Sequence, residues 1–245
     1  MKHLLKIALT MIAAITIGTS CNTNNTKPTY STFLTVVEGS WDIPYYLVFD
    51  DGVTATVENY KDWTPSFTDE WKELRYIVAY EIINENSTIF DMEGELVQVN
   101  PISTQGGLRF VSANDFTGDN GLQKYTAGAT VDVCFLSPAR NYITLMILFN
   151  GSYSMSSPKM SLVVNIDREN SPYKDLYPTV DDGYLYLELY HDNSAYAGSQ
   201  ILTTYWSCKM PDVETIKSQY NGLKIISMGH NSNRPEVFTF NFTTE

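Results

Sequence analysis

Catalytic and metal sites are most often built from cysteine, histidine and paired carboxylates. This 245-residue chain offers few of the first two: Cys21, Cys134 and Cys208, with His3, His191 and His230. His191 beside Asp192 has the residue types of an oriented general base. Neighbours along a strand point to opposite faces, however, so these two do not face one another. No Gly-x-Ser-x-Gly elbow, His-Glu-x-x-His pair, phosphate-cradling glycine loop or paired-cysteine zinc spacing occurs. A glycosidase needs only two carboxylates, which an acidic chain supplies anywhere, so spacing neither supports nor excludes that chemistry. The expectation is a protein that is not an enzyme and carries no cofactor.

The other candidates are acidic, aromatic or thiol. Asp115 and Asp119 sit near Asn120 and Gly121 as in a calcium loop, but the glycine falls one place late and Thr126 stands where the bidentate Glu belongs. Asp50 and Asp51 precede Gly52 between two β-rich runs, which is a hairpin turn rather than a metal site. No metal is expected. In residues 184–190, Leu185, Leu187 and Leu189 face one way and Tyr184, Tyr186, Glu188 and Tyr190 the other. The tyrosine face, with Trp63 and Trp71 elsewhere, could stack sugar rings; it equally suits the outer surface of a sheet, where tyrosine is common. Cys134 and Cys208 lie in strand runs, and two free buried thiols are expected there, although an oxidising compartment permits a bridge.

Cys21 is different because of what precedes it. Lys2, His3 and Lys6 form a basic start, residues 7–17 are apolar or small, and Gly18, Thr19 and Ser20 lead into the cysteine. This is the three-part layout of a secretory signal, too short in its apolar run to span a bilayer. Small residues followed at once by a Cys resemble a bacterial lipoprotein signal, in which Cys21 is acylated and becomes the new N-terminus. Residues 1–20 are then the signal and 21–31 a polar tether. The expected partner is a membrane reached through the lipid anchor. The outer membrane is expected, with its periplasmic side favoured because no acidic residue follows in 22–27.

Composition bounds what the anchor carries. Without Lys2 and Lys6 the mature chain keeps 14 basic against 28 acidic residues, a net charge of −14. Such a field repels phosphate backbones, so nucleic acid is not an expected partner. With 43% hydrophobic and 13% aromatic residues there is ample material for a buried core.

The runs that would position these residues are nearly all strands. Residues 32–37, 45–49, 53–57, 75–83, 89–99 (bent near Gly94) and 108–111 predict a small barrel over 32–112. The polar stretch 113–125 predicts a linker. Residues 130–136, 142–149, 160–166, 184–190, 201–206, 223–227 and 237–242 predict a seven-stranded sandwich over 126–245. One helix is expected between Pro211 and Gly222, capped by Asp212, with Val213, Ile216 and Tyr220 on its apolar side.

Residues 182–193, reading Asp-Gly-Tyr-Leu-Tyr-Leu-Glu-Leu-Tyr-His-Asp-Asn, together with 140–149 and 160–167, resemble the C-terminal sandwich of the NigD-like lipoproteins of Bacteroidetes. Residues 46–57, Tyr-Leu-Val-Phe-Asp-Asp-Gly-Val-Thr-Ala-Thr-Val, resemble that family's first barrel hairpin. The resemblance implies an all-β chain: a small OB-like barrel followed by an immunoglobulin-like β-sandwich. It brings no catalytic residues. It leaves two functional expectations, an accessory envelope lipoprotein that meets an unknown protein partner, or a glycan-binding lipoprotein using exposed Tyr184, Tyr186, Tyr190, Trp63 and Trp71.

Overall fold

The computed structural model describes residues 30–42, 44–57, 65, 67, 73–80, 89–92, 99–116, 121–152, 159–195 and 197–242. They form an all-β protein that divides into two units, residues 1–102 and 103–245. Among the described residues no helix is long and apolar enough to cross a membrane.

The first unit contains strands β1 (Tyr30–Glu38), β2 (Tyr45–Phe49), β3 (Thr54–Val57), β4 (Glu73–Tyr80), β5 (Ile89–Met92) and β6 (Val99–Pro101). They join one sheet in the order β5-β3-β2-β1-β4-β6. Alternation places Leu34, Val36, Leu47, Ala55, Tyr76 and Val78 on one buried face, as the period-2 pattern demands. Each such side chain stabilises the fold by about 1.5–3 kcal/mol when fully buried. The turn after β2 is a three-residue one: Gly52 N–H donates to Phe49 O at 2.9 Å and Phe49 N–H to Val53 O at 2.8 Å. The hairpin turn forms where expected, and Gly52 alone of its residues takes positive φ, 90°.

Of the strand expected over 89–99, bent near Gly94, the described parts are β5, which pairs parallel with β3, and the start of β6, which pairs antiparallel with β4, at opposite ends of the sheet; residues 93–98, Gly94 among them, lie outside the described residues. No ladder among the described residues joins β5 to β6, so the small barrel expected over 32–112 is seen there as an open six-stranded sheet.

The second unit begins earlier than expected, at Ser103 rather than after residue 112. Its strands are β7 (Ser103–Gly107), β8 (Arg109–Val111), β9 (Ala129–Ser137), β10 (Tyr142–Gly151), β11 (Lys159–Asn165), β12 (Tyr184–Asp192), β13 (Gln200–Lys209), β14 (Gly222–Met228) and β15 (Pro235–Asn241). They make two sheets, β7-β13-β10-β9 and β15-β14-β12-β11-β8. One continuous segment supplies an edge strand to each: β7 pairs parallel with β13, Leu108 N–H donates to Lys209 O at 2.7 Å, and β8 pairs parallel with β11. That switch moves the boundary, because both partners lie far along the chain. β12 and β14 also pair in parallel, so three parallel ladders interrupt the antiparallel pairing expected of an immunoglobulin-like sandwich.

Ile143, Leu145 and Ile147 of one sheet and Leu162, Leu187 and Ile225 of the other share a single core, with Trp206 fully enclosed. The helix α1 (Val213–Gln219) forms where expected: Asp212 accepts hydrogen bonds from the N–H groups of Glu214 and Thr215, and Val213 is buried. The described parts of the expected linker carry two short 3-10 turns, Ala113–Phe116 and Leu122–Tyr125, whose Phe116 and Leu122 are buried on the outer face of the second sheet.

Candidate functional site

The group of polar and aromatic side chains with the most chemistry surrounds Glu188, in the middle of β12. Every residue of that strand after Tyr184 is buried, on both faces. The inner face packs in the sandwich core. The outer face is roofed by residues 166–182 and by the turns at Phe116 and Leu122. Tyr186 is 4% and Tyr190 1% exposed, and Tyr184 is half-buried. This corrects the expectation that Tyr186 and Tyr190 are ligand-facing: the row forms, but its rings are occupied. Tyr173 packs on Tyr190 with centroids 5.7 Å apart and Tyr177 on Tyr186 at 5.1 Å.

Glu188 is fully buried and accepts from four groups. Ser171 Oγ and Tyr177 Oη (2.7 Å) donate to Oε1; Tyr190 Oη (2.8 Å) and Asn165 Nδ2 (3.3 Å) donate to Oε2. A buried carboxylate is tolerated only when its acceptor sites are filled, and charge-assisted bonds of this kind are the stronger class. The Tyr177 and Tyr190 hydroxyls are pushed far above the usual phenol range by burial and then by the Glu188 charge, and Tyr173 is pushed up to about 12 by the same causes. A carboxylate so enclosed has no open approach for a substrate. Its chemistry is that of a fastener between β12 and the 166–182 segment.

At the rim, Arg168 lies over two rings, 4.9 Å from the Tyr177 centroid and 5.6 Å from that of Tyr186. Lys224 lies 4.6 Å from the Tyr184 centroid and pairs with Asp182, which holds the Asp182 carboxyl below its usual range and raises the lysine. Tyr184 Oη donates to Asn241 Oδ1 at 2.7 Å. The exposed edge of the row is therefore tied to β14 and β15.

The other candidates separate. His191 is 1% exposed, set edge-on to Phe149 at 5.1 Å with Nδ1 3.2 Å from Gly128 O, and burial pushes its pKa down. Asp192 is engaged elsewhere, accepting from Ser194 N–H at 2.9 Å. Asp115 accepts from Ser112 N–H at 2.8 Å, a turn role. Cys134 and Cys208 are both free and buried, in line with the sequence. Cys134 is opposite Leu145 and Cys208 opposite Ile143, so β10 runs between them. Two strand spacings are about 9.5 Å, beyond the ~7 Å limit for a disulfide. Trp63, Trp71, Asp119, Asn120 and Cys21 lie outside the described residues.

Sequence reasoning missed Arg75. Its guanidinium is fully buried on β4 and reaches across β1 to Asp50, with Nη1–Oδ1 2.5 Å and Nη2–Oδ2 3.2 Å, while Nη1 also meets Thr35 Oγ1 at 3.2 Å. Asp50 therefore serves as a partner for a buried cation as well as a turn residue. The available signal was a lone arginine beginning an apolar alternating run.

No protein-family model matches the chain, and no curated protein matches it. Solved structures do. A protein of unknown function (DUF1344) from Bacteroides vulgatus ATCC 8482 is similar with TM-score 0.59 at 16% identity, over 89% of this chain and 92% of that one. A NigD-like immunity protein from Bacteroides caccae ATCC 43185 is similar with TM-score 0.51 at 15% identity, over 89% and 99%. A candidate lipoprotein from Bacteroides fragilis NCTC 9343 is similar with TM-score 0.52 at 10% identity, over 89% and 99%. The structural neighbours thus match the resemblance read from residues 182–193 and 46–57, at the level of fold.

Proposed function

We propose, from that shared fold and the expected signal over residues 1–20 before Cys21, that the chain is a lipid-anchored accessory protein of the cell envelope that works through protein contacts and not through catalysis. The observation that carries the reading is the roof over β12. A sugar platform needs free ring faces, and here Tyr186 and Tyr190 are covered by Tyr177 and Tyr173. Glu188 and His191, two groups with the types of an acid or base, are likewise enclosed. The acidic surface makes nucleic acid and anionic lipid headgroups poor partners. The anchor itself adds about 0.8 kcal/mol per buried methylene, so a lipoprotein's two or three chains hold such a domain on the membrane almost permanently. The immunity role attributed to the Bacteroides caccae neighbour is one accessory role of this kind.

The location within the envelope is part of the proposal: outer membrane, periplasmic side. Fractionation with Cys21→Ala tests the anchor, since the variant is expected in the soluble fraction and its recovery in the membrane pellet defeats the proposal. Crosslinking of the lipidated protein in cells tests the role. One envelope protein recovered in near-equal amount supports an accessory function; recovery of polysaccharide instead transfers the function to glycan binding.

A further inference from the structure

The sandwich ends on one side in β15, an edge strand that among the described residues pairs only with β14. Its register against β14 runs from Gly222↔Asn241 to Met228↔Pro235 without a bulge. One further bond continues that register at each end: Phe242 N–H donates to Asn221 O at 2.9 Å, and Gly229 N–H donates to Arg234 O at 2.8 Å. In an antiparallel ladder hydrogen-bonded pairs alternate with non-bonded ones. The even-numbered residues of β15 therefore spend their backbone groups on β14. Val237, Thr239 and Asn241 point their N–H and C=O groups outward, where no described residue of the chain receives them.

Edge strands are normally blunted by charge, bulge, proline or a covering element. β15 has Pro235 at its start, and Glu236 is drawn inward to Thr130 Oγ1 at 3.1 Å. From Val237 to Asn241 it carries no charge, and Val237 is 40% exposed.

We propose that this edge pairs with the same edge of a second copy of the chain, antiparallel and centred on Thr239. The choice of occupant follows from the strand's own register. A two-fold about Thr239 sets Thr239 opposite Thr239 of the second copy and each Val237 opposite an Asn241, so every outward N–H and C=O at the three positions meets its complement. It keeps inward faces inward on both copies, because each residue meets one of the same parity. A register centred one residue earlier sets Pro235, which has no N–H, opposite Asn241 at both ends of the ladder and loses two of its bonds. The uncharged centre also lets two acidic molecules meet without opposing carboxylates. The net charge still repels, so association strengthens as salt screens it.

The test uses the full mature chain with Cys21→Ala, in which Cys134 and Cys208 are buried and leave an added surface thiol free for labelling. Sedimentation of the chain from about 10 μM to 1 mM is expected to show a monomer–dimer equilibrium that shifts toward dimer with added salt. A nitroxide on Thr239→Cys is expected to report a pair distance under about 15 Å, since opposed Cα atoms in a bonded pair lie about 5.5 Å apart. Thr239→Lys, and separately Thr239→Pro, whose N–H is not used by β14, are expected to return a monomer with an unchanged unfolding midpoint. A chain that stays monomeric over the whole range overturns the proposal. So does a dimer in which the Thr239 labels lie far apart, or one that survives both variants.

Discussion

Tyr177 donates its hydroxyl to Glu188 Oε1 at 2.7 Å while its ring lies 5.1 Å from that of Tyr186, so one side chain both fills a carboxylate lone pair and covers an aromatic face. Residues 166–182 are held on the second sheet by this double contact and by Ser171. Lifting the segment would expose the rings and strand the carboxylate's donors together, which makes the roof a rigid part of the fold.

Tyr177→Phe keeps the ring and deletes the donor. A hydrogen bond to a charged group is worth about 1.5–3 kcal/mol, so chemical denaturation is expected to show a loss of about 2 kcal/mol. Glu188→Ala strands several donors at once and is expected to cost more than Tyr177→Phe. Equal costs would mean that the donors find other partners.

The same cluster governs alkaline stability. Tyr173, Tyr177 and Tyr190 ionise in the unfolded chain near the ordinary phenol value of 10 but are raised in the folded one. The folded state binds more protons above that value, so the stability these tyrosines contribute is complete below pH 10 and falls as pH rises beyond it. Ultraviolet titration is expected to show a set of tyrosines that ionise only as the protein unfolds. A single smooth titration near pH 10 with the fold intact would contradict the burial.

His191 acts at the other end of the scale. Its pKa is lowered from 6.5 by burial, so below pH 6.5 the unfolded chain takes up a proton that the folded one resists. Stability is therefore full above pH 6.5 and declines as pH falls toward the folded value. His191→Phe, next to Phe149, is expected to flatten the dependence of unfolding free energy on pH just below 6.5; an unchanged slope assigns that dependence elsewhere.

Asp50 and Arg75 are unequal partners, with side chains 19% and 0% exposed. Asp50→Ala leaves a cation buried without its carboxylate and is expected to cost about 3–5 kcal/mol. Arg75→Met removes the charge and leaves Asp50 access to water, so a smaller loss is expected. The reverse order in paired denaturation curves would show that the arginine stem, not the ion pair, stabilises the sheet.

Cys134 is pushed far up the scale by burial and Cys208 up to about 12, so neither forms thiolate at neutral pH. Thiol titration is expected to find neither in the folded protein and both after unfolding without reductant. Two thiols missing from the unfolded, unreduced protein would reveal a bridge.

Local patterns carried a large part of this fold. Alternation at Leu185, Leu187 and Leu189 identified a buried face because side chains in a strand change sides at every residue, wherever that strand pairs. Asp212 marked the start of α1 because an N-cap is satisfied within its own turn. The sequence was enough for the all-β class, the acidic composition and the free thiols. What it left open were relationships between distant residues: β7 and β8 adding in parallel to β13 and β11, β5 and β6 taking opposite ends of one sheet, Arg75 finding Asp50 across β1, and residues 166–182 closing over the tyrosines of β12. A strand's period says which residues share a face. Whether that face meets water, a second sheet or a returning segment is decided by packing of chain far away in sequence, so only the tertiary structure turned the tyrosine row from a surface into a core.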